Sequence, residues 1–214
     1  MKFLIPLLVI LSTFVSAQQK GPFEAEVLSI RQKYDTVWDA SRETVVFTGS
    51  SSIRMWKDIG AVFPGHQIIN SGFGGSKTLD LLRYSDELIL AYRPKKVFIY
   101  EGDNDIAARL TTRTIMDHTV QLIQKIKETD PTIQIVLISA KPSIARWNYR
   151  SKYKRLNRKF RRLCERDTSL SFANVWDVML DRRKVKTDLF IADGLHMNAK
   201  GYELWHSVLK EYMD

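Results

Sequence analysis

Residues 44–53 read TVVFTGSSSI, an apolar run that ends at Gly49 and is followed by three serines. Val45, Val46 and Phe47 stand at successive positions, so a strand here carries apolar side chains on both faces. That pattern is typical of a parallel sheet covered by helices on each side. The serines then follow the carboxyl end of the strand, where they suit a linker, a helix cap or the surroundings of a nucleophile.

Apolar runs and helical patterns alternate along the rest of the chain. Strands are predicted at residues 44–48, 67–70, 95–102, 133–140 and 171–179, and helices at residues 23–40, 78–92, 111–128, 146–166 and 199–212. This alternation predicts one α/β domain, a three-layer α/β/α sandwich with a central parallel sheet of about five strands. Ligands bind such sheets outside the carboxyl ends of the strands, so we expect the chemistry in the loops that follow strands.

The first 17 residues, MKFLIPLLVILSTFVSA, have the pattern of a signal peptide. A basic residue precedes an apolar run, and the run ends in Val15, Ser16 and Ala17, which suit signal peptidase. A membrane anchor needs about 20 apolar residues, and this shorter run is interrupted by Pro6. We expect a cleaved signal peptide at 1–17, a mature domain at 18–214 and a periplasmic or secreted protein with no stable membrane anchor.

Composition narrows the classes of function. The chain has 214 residues, of which 44% are hydrophobic, and this is enough for a folded core. Cys164 is the only cysteine, which excludes an intrachain disulfide and argues against thiol chemistry and a cysteine-based zinc site. The sequence does not indicate the oligomeric state.

The formal net charge is +9, and much of the excess lies in residues 146–166. Tyr153, Leu156, Phe160 and Leu163 recur there at spacings of three and four, which predicts an amphipathic helix with its basic residues on the exposed face. We favour this solvated face over a nucleic-acid footprint and expect no nucleic-acid partner, since the chain is predicted to be exported. Attraction to acidic glycans or anionic surfaces stays open.

Three further loops carry polar residues at the predicted edge of the sheet. They read NSGFGGSKT at residues 70–78, EGDND at 101–105 and DGLHMN at 193–198. The glycine loop has neither the GxxxxGK[ST] nor the GxGxxG spacing, so nucleotide binding is disfavoured. Glycines still allow backbone amides to approach a ligand closely. Asp193 and His196 are spaced so that the carboxylate can orient the imidazole.

The EGDND loop permits two kinds of chemistry besides an ordinary turn. The Asn104 amide can donate a hydrogen bond to a developing oxyanion. Alternatively, Glu101, Asp103 and Asp105 are carboxylates that suit a hard cation, although the loop lacks the glycine and distal glutamate of an EF-hand. Together the four loops supply a nucleophile, a base, its orienting acid and oxyanion donors at one edge of one sheet.

These loops resemble the four ordered blocks of the SGNH/GDSL hydrolase superfamily. The blocks read FTGSSSI, INSGFGGSKT, IYEGDND and DGLHMN, and they run from Phe47 to Asn198. The segments SAKPSIARW and DLFIADGLHMNAKGYELW also resemble the bacterial branch similar to platelet-activating-factor acetylhydrolase subunits. The resemblance implies a flavodoxin-like α/β/α fold and a GDSL-like lipase or acylhydrolase activity on ester bonds.

The resemblance also implies roles for particular residues. Ser51 is the nucleophile, His196 the base and Asp193 its orienting partner. The oxyanion donors are the backbone N–H groups of Ser51 and Gly75 and the side-chain amide of Asn104. No metal and no organic cofactor are implied. In this sequence a serine, the residue before Ser51, stands where most relatives carry aspartate.

The substrate is less constrained than the reaction. No long insertion separates the blocks, which favours a shallow site and a short acyl group such as acetyl. The predicted export favours a carbohydrate ester or another small-molecule ester as the substrate. Arg146 and Trp147 follow the fourth strand and are candidates for contacts to the alcohol part, with packing as the alternative. The competing functions are a lysophospholipase- or thioesterase-type acylhydrolase and a non-catalytic glycan-binding module on the same fold.

Overall fold

Five strands form one parallel sheet in the computed structural model, which describes residues 21–213. The strands are β1 (Thr44–Gly49), β2 (Gln67–Gly72), β3 (Lys96–Tyr100), β4 (Gln134–Ile138) and β5 (Leu170–Ala173), in the order β2-β1-β3-β4-β5. A short antiparallel pair, β6 (Leu180–Asp181) and β7 (Lys184–Val185), lies apart from this sheet. The predicted signal peptide at 1–17 lies outside the described residues.

Helices cover both faces of the sheet. They are α1 (Glu24–Asp35), α2 (Ser51–Arg54), α3 (Ile59–Val62), α4 (Thr78–Arg83), α5 (Ser85–Leu88), α6 (Asp103–Ala107), α7 (Thr112–Thr129), α8 (Arg150–Cys164), α9 (Val175–Val178) and α10 (Ala199–Leu209). One core contains side chains of α1, α4, α5, α7 and α8, and the other those of α2, α3, α9 and α10.

The first strand of the chain, β1, shows why both faces of the sheet must be covered. Every residue of β1 is buried. Val46 belongs to the core beneath α1 and α7, whereas Val45 and Phe47 belong to the core beneath α2 and α10. The predicted three-layer α/β/α sandwich with about five parallel strands is confirmed.

Two of the predicted elements are divided in the structure. The helix expected over 78–92 consists of α4, α5 and a 3-10 turn at Leu90–Tyr92, since the first helix ends at Tyr84, whose backbone leaves the helical conformation, and a second begins at Ser85. The strand region expected over 171–179 pairs only as far as Ala173, where β4 also ends, and the chain then forms α9. In that second region the apolar residues pack as a helix against the sheet.

The basic segment forms the amphipathic helix that its spacing predicts. Tyr153, Leu156 and Phe160 are buried along one stripe of α8, and Leu163 is half-buried. Its basic residues face solvent. Among residues 21–213, no helix combines the length and the apolar character needed to cross a membrane.

Candidate active site

The turn from β1 to α2 fixes the backbone around Ser51. Gly49 has φ +126°, and a Cβ there would lie 2.0 Å from the carbonyl oxygen of Tyr100, so a residue with a side chain does not fit. The Ser50 N–H donates to that same carbonyl at 3.1 Å. Ser51 is the first residue of α2, where a backbone N–H has no acceptor within the helix.

A chain of hydrogen bonds joins Ser51, His196 and Asp193. The Ser51 Oγ lies 2.9 Å from His196 Nε2, and His196 Nδ1 lies 2.6 Å from Asp193 Oδ2. The other carboxylate oxygen of Asp193 accepts from the backbone N–H groups of Leu195 and His196 at 2.8 and 2.9 Å. One oxygen therefore anchors the loop and leaves the other directed at the imidazole.

The Asp193 carboxylate is held in its ionised form. Burial acts to raise its pKa, but the hydrogen bond from the His196 side chain and those from the backbone N–H groups of Leu195 and His196 outweigh burial and lower the pKa to about 2. A carboxylate that stays charged near neutral pH favours the imidazole tautomer with a proton on Nδ1. It also stabilises the imidazolium that forms when Nε2 takes a proton.

The Asn104 side chain lies beside these hydrogen-bonded residues, and hydrogen bonds to both its amide nitrogen and its amide oxygen fix its orientation. Its Nδ2 donates to Ser50 Oγ at 2.7 Å and to the Ser76 carbonyl at 2.9 Å. Its Oδ1 accepts from Arg146 Nη1 at 3.1 Å. Because a guanidinium can only donate and a carbonyl only accepts, these partners leave one orientation of the amide.

The glycine loop distinguishes Gly74 from Gly75. The Gly74 N–H donates to Glu26 Oε1 at 3.0 Å. Gly75 is exposed with φ +79°, and among the hydrogen bonds between described residues none uses its N–H. The Gly75 amide is therefore the one in this pair that is available to an incoming ligand.

The three carboxylates of the EGDND loop bind separate protein partners. Glu101 Oε1 accepts from Ser76 Oγ at 2.6 Å, Asp103 Oδ1 accepts from Arg146 at 2.7 Å, and Asp105 accepts from the Thr78 N–H at 3.1 and 3.2 Å. Within the described part of the chain, no group of three or more His, Cys, Asp or Glu side chains is arranged to hold a metal ion. The carboxylates act here as parts of the scaffold.

The two residues predicted to contact the alcohol part of the substrate make protein contacts. Arg146 turns inward to Asp103 and Asn104, and its side chain is 19% exposed. Trp147 is half-buried, and its ring stacks on that of Trp176 with centroids 6.1 Å apart. Arg146 is thus connected to Ser50 through Asn104, and Trp147 lies beside Arg146 in the chain.

Lys141 is a site residue that the sequence motifs do not reveal. Its side chain is fully buried just past β4, and its Nζ donates to the carbonyl of Leu195 at 2.6 Å and lies 3.9 Å from Asp103 Oδ2. Tyr153 donates a short hydrogen bond to Asp103 as well. A lysine directly after a buried strand at the carboxyl edge of a sheet is the one signal in the sequence that points to such a role.

Fold and site together define an α/β protein with a serine, a histidine and an aspartate joined by hydrogen bonds at the carboxyl edge of a parallel sheet. Residues 36–204 match the model of the GDSL-like lipase/acylhydrolase family, so the chain belongs to that family. Membership makes it an enzyme that hydrolyses ester bonds, as the sequence motifs predict. None of the curated proteins compared with the chain matches it.

Solved structures share the fold. A Streptococcus pneumoniae protein whose given name refers to platelet activating factor superposes with TM-score 0.77 at 24% identity, over 89% of this chain and 94% of that one. A GDSL-like lipase from Bacteroides thetaiotaomicron gives 0.72 at 19% identity, over 85% and 96%. An acetyl-xylooligosaccharide esterase from Geobacillus, crystallised as a mutant, gives 0.68 at 17% identity, over 80% and 94%.

Proposed function

We propose that the chain is an exported serine esterase in which Ser51 is the nucleophile, His196 the general base and Asp193 its orienting partner. The observation that supports this most directly is the chain of hydrogen bonds from Ser51 Oγ through His196 to Asp193, at 2.9 and 2.6 Å. Both distances lie within the range that proton transfer and orientation of a base require.

The reaction follows from the positions of these atoms. His196 Nε2 takes the Ser51 proton while Oγ attacks the ester carbonyl carbon, giving a tetrahedral oxyanion. As this collapses, the imidazolium returns the proton to the leaving alcohol and an acyl-serine remains. His196 then deprotonates a water molecule, whose oxygen attacks the acyl carbon; the bond from that carbon to Ser51 Oγ breaks, and the imidazolium returns its proton to Oγ as the acid leaves. No metal or organic cofactor takes part in these steps.

The oxyanion is proposed to be bound by the N–H groups of Ser51 and Gly75 and by Asn104 Nδ2. The first two amides have no acceptor among the described residues. The Asn104 amide is directed at Ser50 Oγ and the Ser76 carbonyl, so a substrate oxygen has to share one of its protons. Each donor of this kind typically lowers the barrier by about 3 kcal/mol.

A short acyl group, such as acetyl, on a carbohydrate alcohol is the substrate we propose. The site is open to solvent: the Asp193 side chain is 43% exposed and that of His196 is 23% exposed, which suits a small acyl group better than a long one held in a tunnel. The Geobacillus structure, which shares this fold, is named as an acetyl-xylooligosaccharide esterase. Arg146 and Trp147 remain the proposed neighbours of the alcohol part.

The test compares Ser51→Ala with Ser52→Ala, a matched serine one position along whose side chain has no proposed role. Wild type and Ser52→Ala should hydrolyse p-nitrophenyl acetate and react with a fluorophosphonate probe, and Ser51→Ala should do neither. Turnover by Ser51→Ala at the wild-type rate contradicts the assignment.

Substrate scope needs its own measurement. A series of p-nitrophenyl esters from acetyl to palmitoyl, set beside acetylated xylooligosaccharides and a lysophospholipid, should give the highest kcat/KM for acetyl esters. A maximum at long chains or at the lysophospholipid supports the lipase-type alternative instead. Activity should persist in EDTA, because no metal enters the proposed steps.

A further inference from the structure

The exposed face of α8 carries a dense set of unpaired cations. These are Arg150, Lys152, Lys154, Arg155, Arg158, Lys159, Arg161 and Arg162, and all are exposed. The helix contains no acidic residue, and none of these cations takes part in an ion pair between described residues. Like charges three and four positions apart on a helix repel each other, so this face is destabilising in the isolated protein.

The density of this charge is what distinguishes α8, because eight of its 15 residues are cationic. A concentration of charge of one sign on the surface raises the local concentration of anions, so this face suits an anionic partner outside the chain.

One stripe of this face forms the wall of a groove. Lys154, Arg158 and Arg161, at spacings of four and three, line a groove of about 200 Å³ between α8 and the segment after β5. Phe172 lies in the groove with the Arg161 guanidinium 5.3 Å from its ring centre. The groove also contains Asp177, whose carboxylate accepts from Asn174 Nδ2 at 2.6 Å.

The groove continues along the open edge of the sheet. A second depression of about 380 Å³ shares Arg161, Phe172 and Asn174 with the first and follows β5, which is an edge strand. Glu165 is its one acidic lining residue. The first part is smaller than the roughly 300–1,000 Å³ of enclosed pockets for drug-sized ligands, and the second lies near the lower end of that range. Because the two share lining residues and follow α8 and β5, together they suit a linear chain bound one unit after another.

We propose that this groove binds acidic sugar residues of an anionic polysaccharide, at a site separate from the ester-hydrolysing one. Three cations on one wall suit repeated carboxylates or sulfates, and the Phe172 ring offers an apolar surface for a sugar face. A lipid surface fits less well, because the large apolar side chains exposed on the protein, Leu28, Val37, Leu79, Ile144 and Ile191, all lie outside α8 and the groove.

Two triple variants with equal loss of charge test the proposal. K154Q/R158Q/R161Q removes the groove wall, whereas K152Q/R155Q/R162Q removes three cations of the same helix that do not line the groove. Binding of polygalacturonate is measured by isothermal titration calorimetry at low salt. The groove variant should bind about tenfold more weakly than wild type, as expected for three exposed ion pairs, and the control variant should stay close to wild type.

Further outcomes make the test decisive. The proposal is overturned if wild type does not bind polygalacturonate, or if both triple variants are weakened equally. It is also overturned if wild type binds double-stranded DNA with equal affinity and that binding depends on the groove in the same way. Phe172→Leu, which keeps an apolar side chain, should weaken polygalacturonate binding, and Arg158→Gln alone serves if the triple variant unfolds. Ser51→Ala should bind as wild type does, so failure of the esterase assignment is recognised separately.

Discussion

At the residue scale, Ser50 orients the side-chain amide of Asn104. Its hydroxyl accepts from Asn104 Nδ2 at 2.7 Å, at a position where the family resemblance implies an aspartate. Ser50 is buried, with 2% of the residue exposed, in a site that is proposed to stabilise an oxyanion. A neutral acceptor there orients the amide and adds no negative charge beside the developing one.

Ser50→Ala should therefore lower kcat by about tenfold, less than the 10²–10³-fold expected for loss of the whole donor in Asn104→Ala. The Asn104 amide keeps its bond to the Ser76 carbonyl but loses the partner that holds its second proton. Ser50→Asp is the control, since it restores an acceptor of the family's usual kind and should retain more activity than Ser50→Ala. Steady-state hydrolysis of p-nitrophenyl acetate is the measurement, and full activity of Ser50→Ala argues against this role.

Glu101 should make the stability of the protein depend on pH. Burial, and after it the charge of Asp105, raise the pKa of Glu101 well above its usual range, and its Oε2 has no partner among the described residues. As pH rises from the usual value of 4.5 toward the raised pKa, the unfolded chain releases this proton and the folded protein keeps it. The free energy of unfolding therefore falls across that window.

Glu101→Gln should remove this loss, because an amide does not titrate. Thermal melts of both proteins from pH 4 upward should show the variant gaining stability relative to wild type as pH rises above about 4.5. A constant difference in melting temperature at all pH values would show that Glu101 does not titrate differently in the folded state. Ser76→Ala provides a comparison, because it removes the hydrogen bond to Glu101 Oε1 without removing the carboxyl group.

At the element scale, the sequence predicts the first four strands well because each is a short apolar run bounded by polar or turn residues, whereas the fifth pairs over only part of its predicted region. Ser51 and Asn104 lie at one edge of the sheet because they follow β1 and β3, which are parallel and end there. The loop of His196 precedes α10 and follows no strand of this sheet, so tertiary packing brings it to the same edge. The break at Tyr84 is different, since the apolar periodicity of the sequence continues through it and gives no sign of the interruption. Contacts between distant loops, such as those that Lys141 makes, depend on which loops become neighbours in the fold. The local sequence pattern does not reveal that.

Lys141 links the loop of the base to the loop of the oxyanion donor. Its Nζ donates to the carbonyl of Leu195, which lies between Asp193 and His196, and it lies 3.9 Å from the carboxylate of Asp103, the neighbour of Asn104. Arg146 binds the other oxygen of that carboxylate at 2.7 Å. We therefore expect a displacement of one loop to disturb the other.

Lys141→Met, which keeps the length of the side chain, should lower kcat by about tenfold or more with little change in KM, because proton transfer tolerates only small displacements of His196. Fluorophosphonate labelling of Ser51 should slow in parallel. Lys127→Met is the matched control: Lys127 also donates to backbone carbonyls, those of Pro131 and Ile133, but before β4. The control should lose stability and keep kcat; an equal loss of kcat in both variants would assign Lys141 a merely structural role.

At the scale of the whole molecule, the fold brings together residues that are far apart in the chain. Ser51 and His196, whose side chains lie 2.9 Å apart, are separated by 145 positions. The first helix also takes part: Glu26 of α1 accepts from the N–H of Gly74 and from Arg54, so α1 braces the glycine loop. The residue types of the site and their order along the chain were predictable from sequence. The contact of α1 with the glycine loop was not, because it depends on how α1 packs against β2.

The position of α1 bears on the predicted signal peptide. The ring of Phe23, just before α1, packs edge-on against that of Phe73 with centroids 5.1 Å apart, and Glu26 contacts the glycine loop. Both residues lie beyond the predicted cleavage point after Ala17. A mature chain that begins at Gln18 therefore keeps the brace. A chain that begins after Glu26 loses it and should be less active.

Expressed in full in a Gram-negative bacterial host, the protein should accumulate in the periplasm with the intact mass of a chain that starts at Gln18. Leu8→Arg should remain uncleaved in the cytoplasm, because a charge in the apolar run opposes membrane insertion by about 2.5–3.5 kcal/mol. Leu8→Ile is the control and should be exported as wild type is. A different outcome would identify residues 1–17 as an anchor: full-length wild type in the membrane fraction and Leu8→Arg outside that fraction. The active site would then act at a membrane surface.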